Sequence, residues 1–561
     1  MKIVIYQVLP RLFGNTNACC VTNGDISTNG CGKMNDFTPH VLQRIKDLGA
    51  THVWYTGIIE HATQTDYSSF GIRPDHPAVV KGRAGSPYAI KDYYDVDPDL
   101  ATDVRRRMDE YLQLIRRTHA AGLKVIMDFV PNHVARQYHS DAQPQGTAQL
   151  GQDDDNTVSF SPRNNFYYIP RTALQCRFDM QGTAEEPYVE CPAKATGNDH
   201  FDAYPDRNDW YETVKLNYGV DYQGGHTCHF TPVPDTWHKM LDILLFWASR
   251  GVDGFRCDMA EMVPVEFWDW AVSRLKAKHP DIVFIGEVYN PALYRDYIGR
   301  GHFDYLYDKV GLYDTLKDII CCRRSATDIS SSRQSVDDIA LHMLNFLENH
   351  DEQRIASDFL GGNPQKAIPA LIVSALLNAN PMMIYFGQEF GERGMDSEGF
   401  SGRDGRTTIF DYWSVPTVRR WYNDGAADGS QLTPDEQNIY AQYRKILNIA
   451  TSEPAFSDGQ QFDLTYANIN GWRFNEHRQY AFVRKSGHDL LLVAVNFDST
   501  DADVAINMPV HLFQCLGIPE MESLEAHDLL TDTMLTISLT SQNATSITIP
   551  AYSGRVLKIK I

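Results

Sequence analysis

The chain has 561 residues, too many for one ordinary domain but suited to a large core with additions, and 43% of them are hydrophobic. A formal net charge of −21 argues against nucleic acid and acidic membrane surfaces as partners and leaves a neutral ligand. The ten cysteines contain no C-x-x-C spacing, and the adjacent pairs Cys19/Cys20 and Cys321/Cys322 are poorly placed to bridge within each pair, so neither a metal pattern nor a disulfide framework is expected. No apolar run approaches the roughly 20 residues of a membrane span. The opening "MKIVIYQVLPRLFG" lacks the apolar core of a secretory signal, which predicts a cytoplasmic chain.

In chain order, "IVIYQV" reads as a first strand, "FTPHVLQRIKDLG" as a helix closed by Gly49, and "THVWYTG" as a second strand. The helix "ATDVRRRMDEYLQLIRRTHAAG" leads to a third strand at "LKVIMDF". Residues from about Val134 to Thr231 are polar and irregular, too long for one loop, and read as an inserted small domain. Strand and helix patterns then resume and close near "NPMMIYFGQE". After the helix "TPDEQNIYAQYRKILNIAT", alternating runs such as "QYAFVRKS", "DLLLVAVNF", "TSITIPA" and "GRVLKIKI" predict an antiparallel β domain. The predicted organisation is an α/β (β/α)8 barrel in two parts, 1–133 and 232–454, an insertion at 134–231 after strand 3, and a C-terminal antiparallel β-sandwich at 455–561.

Four apolar strand-like runs end in polar or charged groups. "GLKVIMDFVPNH" ends in Asp128, Asn132 and His133, "GVDGFRCDM" carries Arg256 and Asp258, "DIVFIGEVY" presents Glu287, and "LHMLNFLENHDEQ" presents His350 and Asp351. Side chains alternate along a strand, so Arg256 and Asp258 share one face while Phe255 and Cys257 share the other. A guanidinium beside a carboxylate favours its charged form, whereas Glu287 has no cation adjacent in sequence and is expected to favour the neutral acid. Functional groups at the C-terminal ends of parallel strands suit a barrel enzyme.

"DFVPNH", "GFRCDM", "FIGE" and "ENHD" resemble, in order and strand position, the four short motifs of glycoside hydrolase family 13, the α-amylase family. The resemblance covers nearly the whole chain and implies the barrel, the insertion and the C-terminal β domain. It implies that Asp258 is the nucleophile, Glu287 the general acid/base and Asp351 the third carboxylate. It further implies that Arg256, His350, His133, Tyr88 and Asp128 contact the sugar. Tyr88 takes the ring-stacking position by its spacing to Asp92 and Tyr93, although the aspartate that often follows it in the family is here Ala89.

Lys215, Leu216 and Asn217 resemble the K-L-N ending of a further motif in the neopullulanase and cyclomaltodextrinase group. "DMAEMVPVEFW" also resembles that group and lacks the lysine and histidine usual in α-amylases. The expected activity is retaining hydrolysis of α-1,4-glucans such as maltooligosaccharides, cyclodextrins or starch. The alternatives are a transglycosylase or exo-acting α-glucosidase on the same scaffold, and a non-catalytic interaction scaffold, which the presence of all three carboxylates disfavours.

The family often binds calcium between barrel and insertion, using an asparagine matched by Asn132 and an aspartate whose place Lys215 takes. An ammonium cannot ligate calcium. The expectation is therefore that no calcium is required there, with Asn15, Asn17 and Asp25 left as candidates for a weaker site.

Overall fold

The computed structural model describes residues 2–176, 178 and 186–561. Eight parallel strands close into a barrel: Val4–Val8, His52–Tyr55, Lys124–Phe129, Gly254–Cys257, Val283–Gly286, Tyr305–Tyr307, Met343–Phe346 and Met382–Tyr385. The predicted strands form, and closure is made by Val4–Val8 pairing with both His52–Tyr55 and Met382–Tyr385.

Two separate cores follow from strand alternation. Outward residues such as Val53, Val125, Met127, Phe255, Cys257 and Phe284 pack with the surrounding helices. Inward residues, among them Ile5, Trp54, Ile126, Ile285, Tyr307 and Phe346, fill the barrel itself. Cys257 is accordingly a free, buried thiol on the outward face.

The helices meet the expected positions. Pro39–Asp47 starts with the Thr38 hydroxyl accepting the Val41 N–H and proline in the first turn, and it buries Val41, Leu42 and Ile45. Pro434–Ser452 begins with a full capping box between Thr433 and Glu436.

After the third strand, His133–Ala135 pairs antiparallel with Thr213–Lys215, His133 lying opposite Lys215. Among the described residues the segment between holds the short pairing of Tyr168–Ile169 with Ala193–Lys194, and Val220–Asp221 pairs with Thr227–Cys228 just beyond it. The C-terminal region has a six-stranded antiparallel sheet and a two-stranded one, Ala502–Ile506 with Thr545–Ile549, which share a core around Leu492, Val504, Ile549 and Leu557. "DLLLVAVNF" is not an alternating strand as the sequence suggests. Leu491, Val493 and Val495 face the barrel's core while Leu490, Leu492 and Ala494 face the second core, so both faces are apolar.

Candidate active site

The strands position the acids by simple alternation. Ile126 and Ile285 point into the barrel, so Asp128 and Glu287, two residues on, occupy the same inward face nearer its C-terminal end. The ladder continues past the strand ends, with the Asp258 N–H donating to the Phe129 carbonyl at 2.9 Å and the Glu287 N–H to the Cys257 carbonyl at 3.1 Å. Both carboxylates therefore stand at the C-terminal mouth.

Arg256 lies between them. Its Nη1 donates to Asp258 Oδ1 at 2.7 Å, and its Nη2 is 2.9 Å from Glu287 Oε2. Nε donates to the Tyr307 hydroxyl at 3.1 Å, and Asp128 Oδ1 is 3.7 Å from Nη1. The rings of Trp54, Tyr88 and Tyr307 surround the guanidinium at 5.2–5.5 Å.

Although no cation adjoins Glu287 in sequence, Arg256 lies beside it in space. Arg256 pairs in register with Ile285 on the neighbouring strand, so the cation reaches Glu287 through space rather than along the sequence. Glu287 also accepts the Met259 N–H at 2.8 Å and the Tyr289 hydroxyl at 2.6 Å. The first of these follows from a left-handed backbone at Met259 (φ 43°), uncommon for a residue with a side chain, which turns the chain directly after Asp258.

Asp258 also departs from expectation. Burial, reinforced by the charges of Glu287 and Asp351, pushes its carboxyl well above the usual range even though Arg256 pulls the other way. At Asp351 burial also opposes ionisation, but His350, Arg256 and Arg406 outweigh it and hold the carboxyl below the usual range.

His350 Nε2 is 3.0 Å from Asp351 Oδ2. Gln7 Nε2 donates to His350 Nδ1 at 2.7 Å, Trp54 meets the imidazole edge-on, and Tyr88 stacks on it with centroids 5.0 Å apart. One face of Tyr88 is thus taken by His350, and the tyrosine is 8% exposed. Asp128 accepts the Trp54 indole N–H at 2.9 Å and lies beside Arg256 and Tyr88.

His133 packs against Trp210 and bonds to the backbone of Tyr88. Burial, with Lys215 nearby, pushes its imidazole down to about 3, so it is neutral at ordinary pH.

Asn132 donates to the Gly197 carbonyl, and its Oδ1 accepts from Lys215 Nζ at 2.7 Å. The same ammonium is 2.5 Å from Asp199 Oδ1. These oxygens fit the lysine that touches them and do not fit a divalent cation alongside it. Asn15, Asn17 and Asp25 are engaged locally: Asn15 Oδ1 accepts the Asn17 N–H, Asn17 Oδ1 the Cys19 N–H, and Asp25 caps a short helix through the Thr28 N–H.

A cleft of about 940 Å³ reaches Asp351 and is lined also by Arg406, Arg207, Tyr211, Phe400 and Phe410 among others. Arg406 donates to the Asp351 backbone carbonyl at 2.7 Å. Gln7, Trp54, Tyr289, Tyr307 and Arg406 were not singled out from sequence. Gln7 carried a signal, being the polar residue of an apolar strand. Trp54, Tyr289 and Tyr307 did not, because a tyrosine or tryptophan reads as ordinary core, nor did Arg406, which lies in an irregular segment.

The description "Alpha amylase, catalytic domain" matches residues 7–448. Alpha-amylase 3 of Dictyoglomus thermophilum is 26% identical over 476 residues, covering 82% of this chain and 78% of that protein. Neopullulanase 2 of Thermoactinomyces vulgaris is 23% identical over 540 residues, covering 91% and 71%. The crystal structure of a noncanonic maltogenic α-amylase AmyB from Thermotoga neapolitana superposes with a TM-score of 0.63 at 19% identity, covering 100% of this chain and 99% of that one, a likeness of fold. With that match spanning most of its length, the chain belongs to the α-amylase catalytic-domain family of glycoside hydrolases.

Proposed function

We propose that the protein hydrolyses α-1,4-glucosidic bonds of maltooligosaccharides, cyclodextrins or starch, with retention of configuration through a covalent glycosyl-enzyme. The observation that carries the reading is one buried guanidinium touching both Asp258 and Glu287.

In this reading Asp258 attacks the anomeric carbon while Glu287 protonates the departing glycosidic oxygen. Negative charge leaves Asp258 as its ester forms and appears on Glu287 as its proton departs. Because Arg256 contacts both, an ion pair is kept throughout the transfer. Glu287 then accepts a proton from water, which attacks the same carbon and frees Asp258. Asp351, held ionised, stabilises positive charge on the sugar ring, and neutral His133 offers hydrogen bonds without adding a cation. Catalysis in this account routes no step through a metal.

The names of the two relatives, an α-amylase and a neopullulanase, support α-glucan as the substrate class. The test is product analysis with maltoheptaose, β-cyclodextrin, pullulan and sucrose offered separately, with the first-formed anomer read by proton NMR. Shorter maltooligosaccharides released as the α-anomer are expected. Release of the β-anomer refutes retention, and products longer than the substrate move the assignment to transfer.

A further inference from the structure

Away from the cleft, a buried acidic group is left short of partners. The strand Ile59–His61 pairs antiparallel with Ile90–Val96 in an interrupted register: Ile59 lies opposite Val96, Glu60 opposite Asp92 and His61 opposite Ile90. One step along the first strand spans four residues of the second. The excess bulges out, and it brings Asp92 and Asp95 together onto Glu60. Carboxylate oxygens of Glu60, Asp92 and Asp95 all lie within 4.8 Å of one another, and the residues are 1%, 0% and 3% exposed.

The donors around them are unevenly shared. Asp92 Oδ1 accepts from the Ser140 hydroxyl and the Tyr94 N–H, and Oδ2 from the Ala142 N–H. Asp95 is held by the Arg107 fork and the Val96 N–H. Among the described residues Glu60 Oε2 has no hydrogen-bond partner, and Oε1 lies 3.7 Å from Lys91 Nζ. That lysine sits closer to Asp75, at 3.0 Å, whose Oδ1 is also unpartnered. Among the described residues, these four buried carboxyls face Lys91 and Arg107, with Arg73 at the exposed side of Asp75. A buried charge without a counter-charge is costly, and one divalent cation removes the deficit.

We propose that Glu60, Asp92 and Asp95 hold a hard divalent cation of calcium type, which braces the bulged strand pair. Two oxygens that each sit about 2.4 Å from a shared calcium are at most about 4.8 Å apart, which the three residues satisfy. Asp92 Oδ2 and Asp95 Oδ2 each accept from one group and keep lone pairs free, while Glu60 Oε2 is wholly free. The ion would tie the strand pair to Ser140 and Ala142, where the segment after the third strand begins, and through Asp95 and Arg107 to the helix Arg107–Ala120. This site is separate from the lysine-filled position at Asn132.

The test uses the full chain stripped of metal by chelation and dialysis. Titration with calcium, and separately with magnesium, is followed by calorimetry and by Tm. One calcium per chain and a rise in Tm of several degrees are expected for the native sequence. Glu60→Gln should bind none, with a Tm that no longer responds. Absence of binding in the native chain, or equal stoichiometry in Glu60→Gln, overturns the site, and in the former case the surplus charge is relieved by a proton on Glu60. Should Glu60→Gln not fold, crystals of the native chain grown with manganese decide the matter. An anomalous peak among the three carboxylates supports the site, and its absence overturns it.

Discussion

Arg256 shows at the scale of one residue how a fork differs from a point charge. Its two terminal nitrogens serve Asp258 and Glu287 while Nε is held by Tyr307, a division that a lysine ammonium on a flexible stem cannot reproduce. Asp258→Asn should lower turnover by at least roughly 10³-fold, because the neutral amide cannot form the ester. The fold should survive it. Burial and two neighbouring acids already disfavour the Asp258 charge, so near neutral pH the amide relieves a cost, and calorimetry should find Tm unchanged or higher. Near-native activity after excluding deamidation would remove Asp258 from its role. Glu287→Gln should slow substrates with poor leaving groups far more than an activated aryl glycoside, which needs little protonation of its leaving group. Equal loss on both substrate types in the glycosylation step would remove Glu287 from its role.

Strands and their ends were the most legible elements. A polar residue two places beyond an inward apolar one, as in Ile126 to Asp128 or Ile285 to Glu287, can be read from a period of two without knowing the partner strand. What stayed hidden depends on closure and register: the cation on Glu287, the Gln7 bond to His350, and the convergence of Glu60 with Asp92 and Asp95 across a bulge. Lys215 was legible as a departure from the family pattern, while its partner Asp199 was not, because the contact bridges a strand and a loop. We propose that this lysine takes the structural part of a cation between barrel and insertion. Lys215 is 1% exposed, and Lys215→Met strands the Asn132 carbonyl oxygen and the Asp199 carboxylate. Breaking a fully buried pair costs about 3–5 kcal/mol. Asp199 is 36% exposed, so solvent screening reduces the expectation to about 2–3 kcal/mol by urea denaturation. A loss below about 0.5 kcal/mol, the level of an ordinary surface substitution, would refute the role.

For the whole molecule, the C-terminal sheet is part of the barrel's packing rather than an appendage. The helix Ile368–Leu376 is buried along its entire length, as expected of a helix that is apolar all round. One side meets the barrel, and the other meets the strands Asp489–Asn496 and Ser553–Lys560, with Ile372 against Gly554 so closely that an added Cβ there would lie 2.8 Å from its Cδ1. Polar ties cross the same junction, among them Arg478 Nη1 to the Ile319 carbonyl at 2.9 Å and Ser330 Oγ to Asp463 Oδ2 at 2.5 Å. Leu491, Val493, Val495 and Val556 lie in one continuous core with barrel residues. Melting either part would expose apolar surface of the other, so the two should unfold together, in contrast to the separate transitions common in multidomain chains. Scanning calorimetry should give one transition covering barrel and sheet. Leu491→Ala, at a fully buried position facing the barrel, should cost about 2–5 kcal/mol and move that transition as a whole. Removal of residues 455–561 should yield insoluble protein, because the apolar helix loses its cover. Two resolved transitions, with Leu491→Ala lowering only one of them, would show that the sheet is an independent unit.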